Sequence, residues 1–226
     1  MDFRQLQQLQ KLLPKVPGIN GKEEYFNSAV LVLLMPVNGD YHFVFEKRGP
    51  NIRQGGEICF PGGKFDPETD ANFAATAVRE TVEELGITPE DLRIFGRLDT
   101  VISPMGATVD AFLATIEHQE LSKLNFNRDE VENVFTIPVS YFTRNEPQVY
   151  KVCIKAHPSY INKEGEEVVL FPAKELGLPD RYSKPWGQGQ INIYVYQVKE
   201  GVIWGITARL IYDLVKKLRC LENCKM

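Results

Sequence analysis

With 226 residues, 43% hydrophobic and 11% aromatic, the chain can bury one sizeable core, which points to one domain and at most two. Thirty acidic residues against 26 basic ones leave a net charge of −4, so no global basic field argues for a nucleic-acid partner. Four cysteines, at 59, 153, 220 and 224, are too few and too scattered for a disulfide framework, which favours reduced thiols in a cytoplasm.

In chain order, Phe3, Leu6, Leu9, Leu12 and Leu13 recur at helical spacing until Pro14 and Pro17 stop them, so residues 1–16 read as an amphipathic helix with a packing role. No charged segment followed by an apolar one opens the sequence. The longest apolar run, Ala29 to Met35, has seven residues where a membrane-spanning helix needs about 20. The expectation is a cytoplasmic protein, neither secreted nor inserted in a membrane. Ala29 to Met35 reads as a buried strand, and Tyr41 to Glu46 as its hairpin partner across a turn built from Pro36, Asn38, Gly39 and Asp40. A loop rich in Gly, Pro and Arg at 49–56 leads to a brief strand, Ile58-Cys59-Phe60.

Residues 71–85 carry the clearest helical pattern. Asp70 is placed to cap it, Ala74, Val78, Val82 and Leu85 form one stripe, and Gly86 stands where a left-handed C-cap belongs. Further strands are expected at Leu92 to Leu98, Val109 to Ile116, Asn133 to Ile137, Val149 to Ile154, Val168 to Phe171 and Ile191 to Val198, followed by a terminal helix over 206–220. Strands separated by turns argue for a mixed sheet. No repeat, low-complexity tract or linker divides residues 1–226, which read as a single domain.

On the helix, Glu80, Glu83 and Glu84 are related by three and four positions and project from neighbouring points. Such crowding is tolerable when a cation neutralises it, and oxygen-only ligands point to Mg²⁺ or Mn²⁺; the alternative is a solvated acidic face. Phe60-Pro61-Gly62-Gly63-Lys64 lies just upstream, and two glycines let a backbone approach metal or phosphate closely. Arg79 is within reach of Glu83 at four-residue spacing.

The run over 62–87 resembles the Nudix box: a glycine, five residues, a glutamate, seven residues, then Arg-Glu-aliphatic-x-Glu-Glu-x-Gly-aliphatic. Arg79-Glu80-Thr81-Val82-Glu83-Glu84-Leu85-Gly86-Ile87 matches its second half. Three features depart from the pattern: Thr81 replaces the aliphatic residue, Ala71 stands where glutamate is wanted, and Gly63 to Arg79 spans 16 positions where the pattern has 14. After a lengthened loop, Asp70 is the substitute for the missing glutamate. Gln54 to Lys64, Asp129-Glu130-Val131, Phe135 to Pro138 and Ile203 to Arg209 are similar to segments of the coenzyme A pyrophosphatase branch, except that Gln54 occupies the place of a histidine often found there. The likeness spans roughly 26–218 and fades between Tyr150 and Gln190.

This resemblance implies an α/β fold, a Nudix-type α/β/α sandwich with a central mixed sheet and a loop-helix-loop catalytic motif. It implies that Glu80, Glu83 and Glu84, with the carbonyl of Gly62, ligate one to three Mg²⁺ or Mn²⁺ ions, supported by Gly63, Arg79 and Gly86. Glu84 or Glu130 is the expected proton acceptor, and Arg48, Arg53 and Lys64 are candidates for the substrate phosphates. The implied reaction is cleavage of coenzyme A or acyl-coenzyme A, with a broader nucleoside diphosphate hydrolase (ADP-ribose, for example) and a non-catalytic binding module as alternatives. No nucleic-acid or membrane partner is expected, and a homodimer stays open. His42, His118 and His157 stand apart from second ligands, Cys220 and Cys224 lack companions for zinc, and Trp186 suits either adenine stacking or local packing, with packing the safer reading.

Overall fold

The computed structural model describes residues 2–116 and 124–223; His118 and Cys224 lie outside them. In chain order the strands of the main sheet are β1 (Phe26–Val37), β2 (Asp40–Arg48), β3 (Ile58–Cys59), β4 (Gly62–Lys64), β5 (Leu92–Arg97), β6 (Val101–Ser103), β7 (Ala107–Ile116) and β8 (Val131–Pro138). Around them stand α1 (Phe3–Leu12), α2 (Phe73–Leu85), α3 (Val139–Arg144) and α4 (Gly205–Asn223). The strand order β3-β2-β1-β7-β5 is extended by β4 on β1, β6 on β7 and β8 on β2. β1 runs parallel to β7 and antiparallel to β2, so the sheet is mixed, as expected.

The β1–β2 hairpin turns on Asn38 and Gly39, both at positive φ, because a two-residue turn of that hand matches the twist of the strands. Pro36 and Asp40 are strand residues and do not belong to the turn. β1 is apolar without alternation because both its faces are covered. Leu31, Leu33 and Met35 join Val44, Ala77 and Leu85 on the side of α2, while Val32 joins Phe43, Phe45, Phe142, Ile203 and Ile211 on the other. That second side is closed by α3, α4 and a smaller sheet of β9 (Gln148–Ala156), β12 (Trp186–Val198) and β13 (Gly201–Trp204). A separate hairpin, β10 (Ser159–Ile161) with β11 (Glu167–Val169), branches between β9 and β12. Trp186 packs locally, against Phe171 and Tyr182.

Three local expectations need correction. Asp70 does not cap α2; Asn72 does, accepting from the backbone N–H of Ala74 and Ala75, and the helix starts at Phe73. Its buried face is Thr76, Ala77, Thr81, Glu84 and Leu85, one step round from the expected apolar stripe, because Val78 is only half-buried. The amphipathic α1 forms and is capped by Asp2 and Gln5, yet none of its residues is buried. Helical spacing predicted the helix; it carried no information on whether another element would meet its apolar face.

Candidate active site

β4, paired antiparallel with β1, delivers the two glycines to the C-terminal half of α2. Gly62 has φ +149°, and a Cβ there would lie 2.3 Å from the carbonyl oxygen of Ala29, so only glycine fits. Its N–H donates to Oε2 of Glu84 at 2.8 Å. A Cβ on Gly63 would lie 2.3 Å from the carboxyl carbon of Glu80, so that carboxylate rests directly on the glycine. At the C-terminus of the helix Gly86 takes the left-handed cap, φ +63°, and leaves no room for a side chain beside the carbonyl of Asn125. The backbone N–H of Asn127 then donates to the carbonyl of Glu84 at 2.9 Å, drawing the loop that carries Glu130 toward the box.

Arg79 organises the opposite side. Its Nε and one terminal nitrogen donate to the two oxygens of Asp70 at 2.8 and 3.0 Å, and its other terminal nitrogen reaches Glu80 at 2.9 Å and Glu83 at 3.3 Å. The hydrogen bonds from Arg79 hold the Asp70 carboxyl well below the usual carboxylate range, and Asp70 in turn raises Arg79. Lys64, Asp66, Arg79, Glu80 and Glu83 border an open depression of about 500 Å³.

The three helix glutamates face three environments. Glu83 is exposed, Glu80 is largely covered against Gly63, and Glu84 is buried. Beside Glu84 sits Glu46, a strand residue only 1% exposed that was not singled out from the sequence. One signal was available: Glu46 has the same parity in β2 as Val44, so it faces α2 with Val44, while Phe43 and Phe45 face the other core. Its Oε1 accepts from the Cys59 thiol at 3.1 Å; its Oε2 is buried with no hydrogen-bond partner. Burial pushes Glu46 and Glu84 up, and the charge of Glu46 raises Glu84 further. Burial also raises Glu80, against the pull of Arg79.

Among the described residues no three acidic, cysteine or histidine side chains are drawn together tightly enough to chelate an ion as they stand. The donors nonetheless fit a hard divalent cation in kind: buried carboxylates short of positive charge, an unpartnered carboxylate oxygen and glycine backbone alongside. Glu130 is exposed, but its negative charge is felt at both Glu46 and Glu80. Arg48 turns inward, with Nε on the carbonyl of Arg53 at 3.1 Å and a terminal nitrogen 3.8 Å from Glu46. Arg53 and Lys64 are exposed, Arg53 with its guanidinium 5.4 Å from the ring centroid of Phe26. His42 faces Thr136 at 3.2 Å, away from these groups.

Residues 26–156, more than half of the chain, match the family model described as the NUDIX domain. The chain belongs to the Nudix family. It is 37% identical over 143 residues to the mouse peroxisomal coenzyme A diphosphatase NUDT7, covering 63% of this chain and 56% of that protein. It is 36% identical over 126 residues to the human mitochondrial coenzyme A diphosphatase NUDT8, covering 55% and 53% respectively. The matches thus take in little more than half of each of these relatives. A longer one, 25% identical over 203 residues, covers 89% of this chain and 88% of the uncharacterized Nudix hydrolase NudL of Pectobacterium atrosepticum.

Two departures from the Nudix pattern have a local physical basis. Thr81, fully buried where an aliphatic side chain is usual, donates its hydroxyl to the carbonyl of Ala77 at 2.7 Å and so brings no unsatisfied polar group into the core. Asp70, reached across a longer loop, supplies the carboxylate that clamps Arg79.

Proposed function

We propose that the chain hydrolyses the diphosphate bond of coenzyme A or its thioesters, releasing 3′,5′-ADP and 4′-phosphopantetheine or its acyl form. The observation that carries this reading is the meeting of loop and helix, Gly62 on Glu84 and Glu80 on Gly63, in a chain whose relatives include two proteins named coenzyme A diphosphatases. Glu80, Glu83, Glu84 and the carbonyl of Gly62 would hold Mg²⁺ or Mn²⁺, which when bound neutralises diphosphate charge and acidifies a water.

The chain's own contribution is positional. Gly62 makes room for the backbone of β1 and Gly63 for the Glu80 carboxylate, and Arg79 holds Glu80 and Glu83 in orientation. Glu84 takes the proton of the attacking water, with Glu130 the alternative acceptor. Arg53 and Lys64 meet the outer phosphates, Arg53 the 3′-phosphate. Arg48 is the third cation of that set; its hydrogen bond to the Arg53 carbonyl braces the loop.

Incubation with Mg²⁺ or Mn²⁺ and a panel of coenzyme A, dephospho-coenzyme A, ADP-ribose and nucleoside triphosphates, read by mass spectrometry, tests the reading. Selective loss of coenzyme A with both products appearing is expected. Preferential cleavage of ADP-ribose overturns the substrate, and no cleavage at all overturns the enzyme in favour of a binding module. A cytoplasmic location without nucleic-acid or membrane partners belongs to the same proposal. The net charge of −4 speaks against a nucleic-acid partner; cell fractionation checks the location, since the relatives above are named as peroxisomal and mitochondrial proteins.

A further inference from the structure

The middle of β2 is core on both faces. Phe43 and Phe45 are fully buried on one side and Val44 on the other, where it packs with Ala77 and Leu85 of α2. The next residue on the α2 side is Glu46, where an apolar side chain would simply extend the core. A carboxylate without countercharge there costs several kcal/mol. Arg48 offsets little of that, standing 3.8 Å off with a hydrogen bond to the carbonyl of Arg53. The Cys59 thiol, donating to Oε1, fixes the plane of the carboxyl and leaves Oε2 buried, unpartnered and in the company of Glu84.

We propose that Glu46 is a fourth carboxylate of the cation centre, supplied by β2 in addition to those of α2, whose free Oε2 takes the divalent cation of the Glu84 side or one of its coordinated waters. This rests on the reading above that Glu84 helps to hold a cation. Cys59 then acts as a positioning residue that orients the Glu46 carboxyl. A buried carboxylate pair with Arg48 as its one nearby cation among the described residues, 3.8 Å from Glu46, is a surrounding in which a divalent cation relieves repulsion, so the arrangement raises affinity for the cation even before substrate arrives.

The test is direct Mn²⁺ uptake by the full chain without substrate, followed by calorimetry and by loss of the free-ion paramagnetic resonance signal, with melting temperature recorded with and without the ion. Glu46→Gln should weaken uptake at least tenfold, leave the ion-free melting temperature equal or higher, and shrink its rise on adding Mn²⁺. Glu46→Asp keeps the charge and serves if the glutamine variant does not fold; weaker uptake supports the proposal and parental uptake overturns it. Glu84→Gln is the reference. If it abolishes uptake while Glu46→Gln binds as the parent does, Glu46 lies outside the centre and the proposed function stands. If Glu46→Gln lowers the ion-free melting temperature with uptake unchanged, Glu46 is structural and the proposal is overturned. If the parent binds no Mn²⁺ even with coenzyme A present, the proposed function fails and the inference with it.

Discussion

Asp70 and Arg79 are joined by two hydrogen bonds of 2.8 and 3.0 Å, which lock the loop after Gly63 onto the outer side of α2. Arg79 keeps its remaining nitrogen for Glu80 and Glu83, so the loop clamp and the orientation of the glutamates depend on one guanidinium. The Asp70 side chain is buried and Arg79 is partly exposed. The pair is thus intermediate between a surface and a buried ion pair, and Asp70→Asn should cost about 2 kcal/mol at neutral pH.

That cost depends on pH. The folded-state pKa of Asp70 is depressed below its ordinary value, so its stabilisation is fully present above about pH 4 and is lost as pH falls further, through the folded value. Urea unfolding of parent and Asp70→Asn proteins should differ most near pH 7 and converge in acid. A difference that does not change with pH would mean that the ion pair is not its source.

The two adjacent glycines should respond differently to alanine. At Gly62 the new Cβ meets backbone on an unfavourable φ, so Gly62→Ala should lose about 3 kcal/mol or more. At Gly63 it meets only the end of the flexible Glu80 side chain, which can move aside. Gly63→Ala should therefore change stability by less than about 1 kcal/mol while displacing Glu80 and slowing turnover by about tenfold or more. Melting curves alongside product formation separate the two, and equal stability losses would contradict this geometry.

For the proton acceptor, Glu84→Gln and Glu130→Gln are compared at saturating cation and substrate. Loss of the group that takes the proton should cost about 10²-fold or more in kcat. Glu84 is buried against Gly62 and Glu130 is exposed, so the larger loss is expected at Glu84. If neither change slows turnover, the proton goes elsewhere.

Arg53→Ala should raise KM for coenzyme A more than for its 3′-dephospho form, because Arg53 is exposed with its guanidinium over the Phe26 ring, free to meet an outer phosphate. A similar rise for both substrates would remove the 3′-phosphate contact.

Removal of residues 1–16 should leave the melting temperature unchanged, since none of α1 is buried. A fall of several degrees would show that α1 packs in solution.

Periodicity within a dozen residues was enough to read the β1–β2 hairpin, though with a turn drawn two residues too wide, α2 with its Gly86 cap and the course of α4, because each is decided by contacts close in sequence. The Gly62-Gly63 and Arg79 to Glu84 segments stood out by their glycines, their crowded carboxylates and their likeness to the Nudix box, and the structure brings the two segments into contact. The partner of Asp70 was not: a residue just before a helix suits a cap equally well, and only the path of the loop turned it toward Arg79. Nor was the inward turn of Arg48, or the exposure of α1.

Glu46 marks the boundary most sharply. The sequence alone determined that β2 is a strand and that residues 44 and 46 share one of its faces, since strand parity is a property of the backbone. Which face meets α2, and that Glu84 stands opposite, was decided when the sheet was laid against the helix. The electrostatic cost of a buried carboxylate comes from its neighbours in space, and those neighbours come from distant stretches of chain.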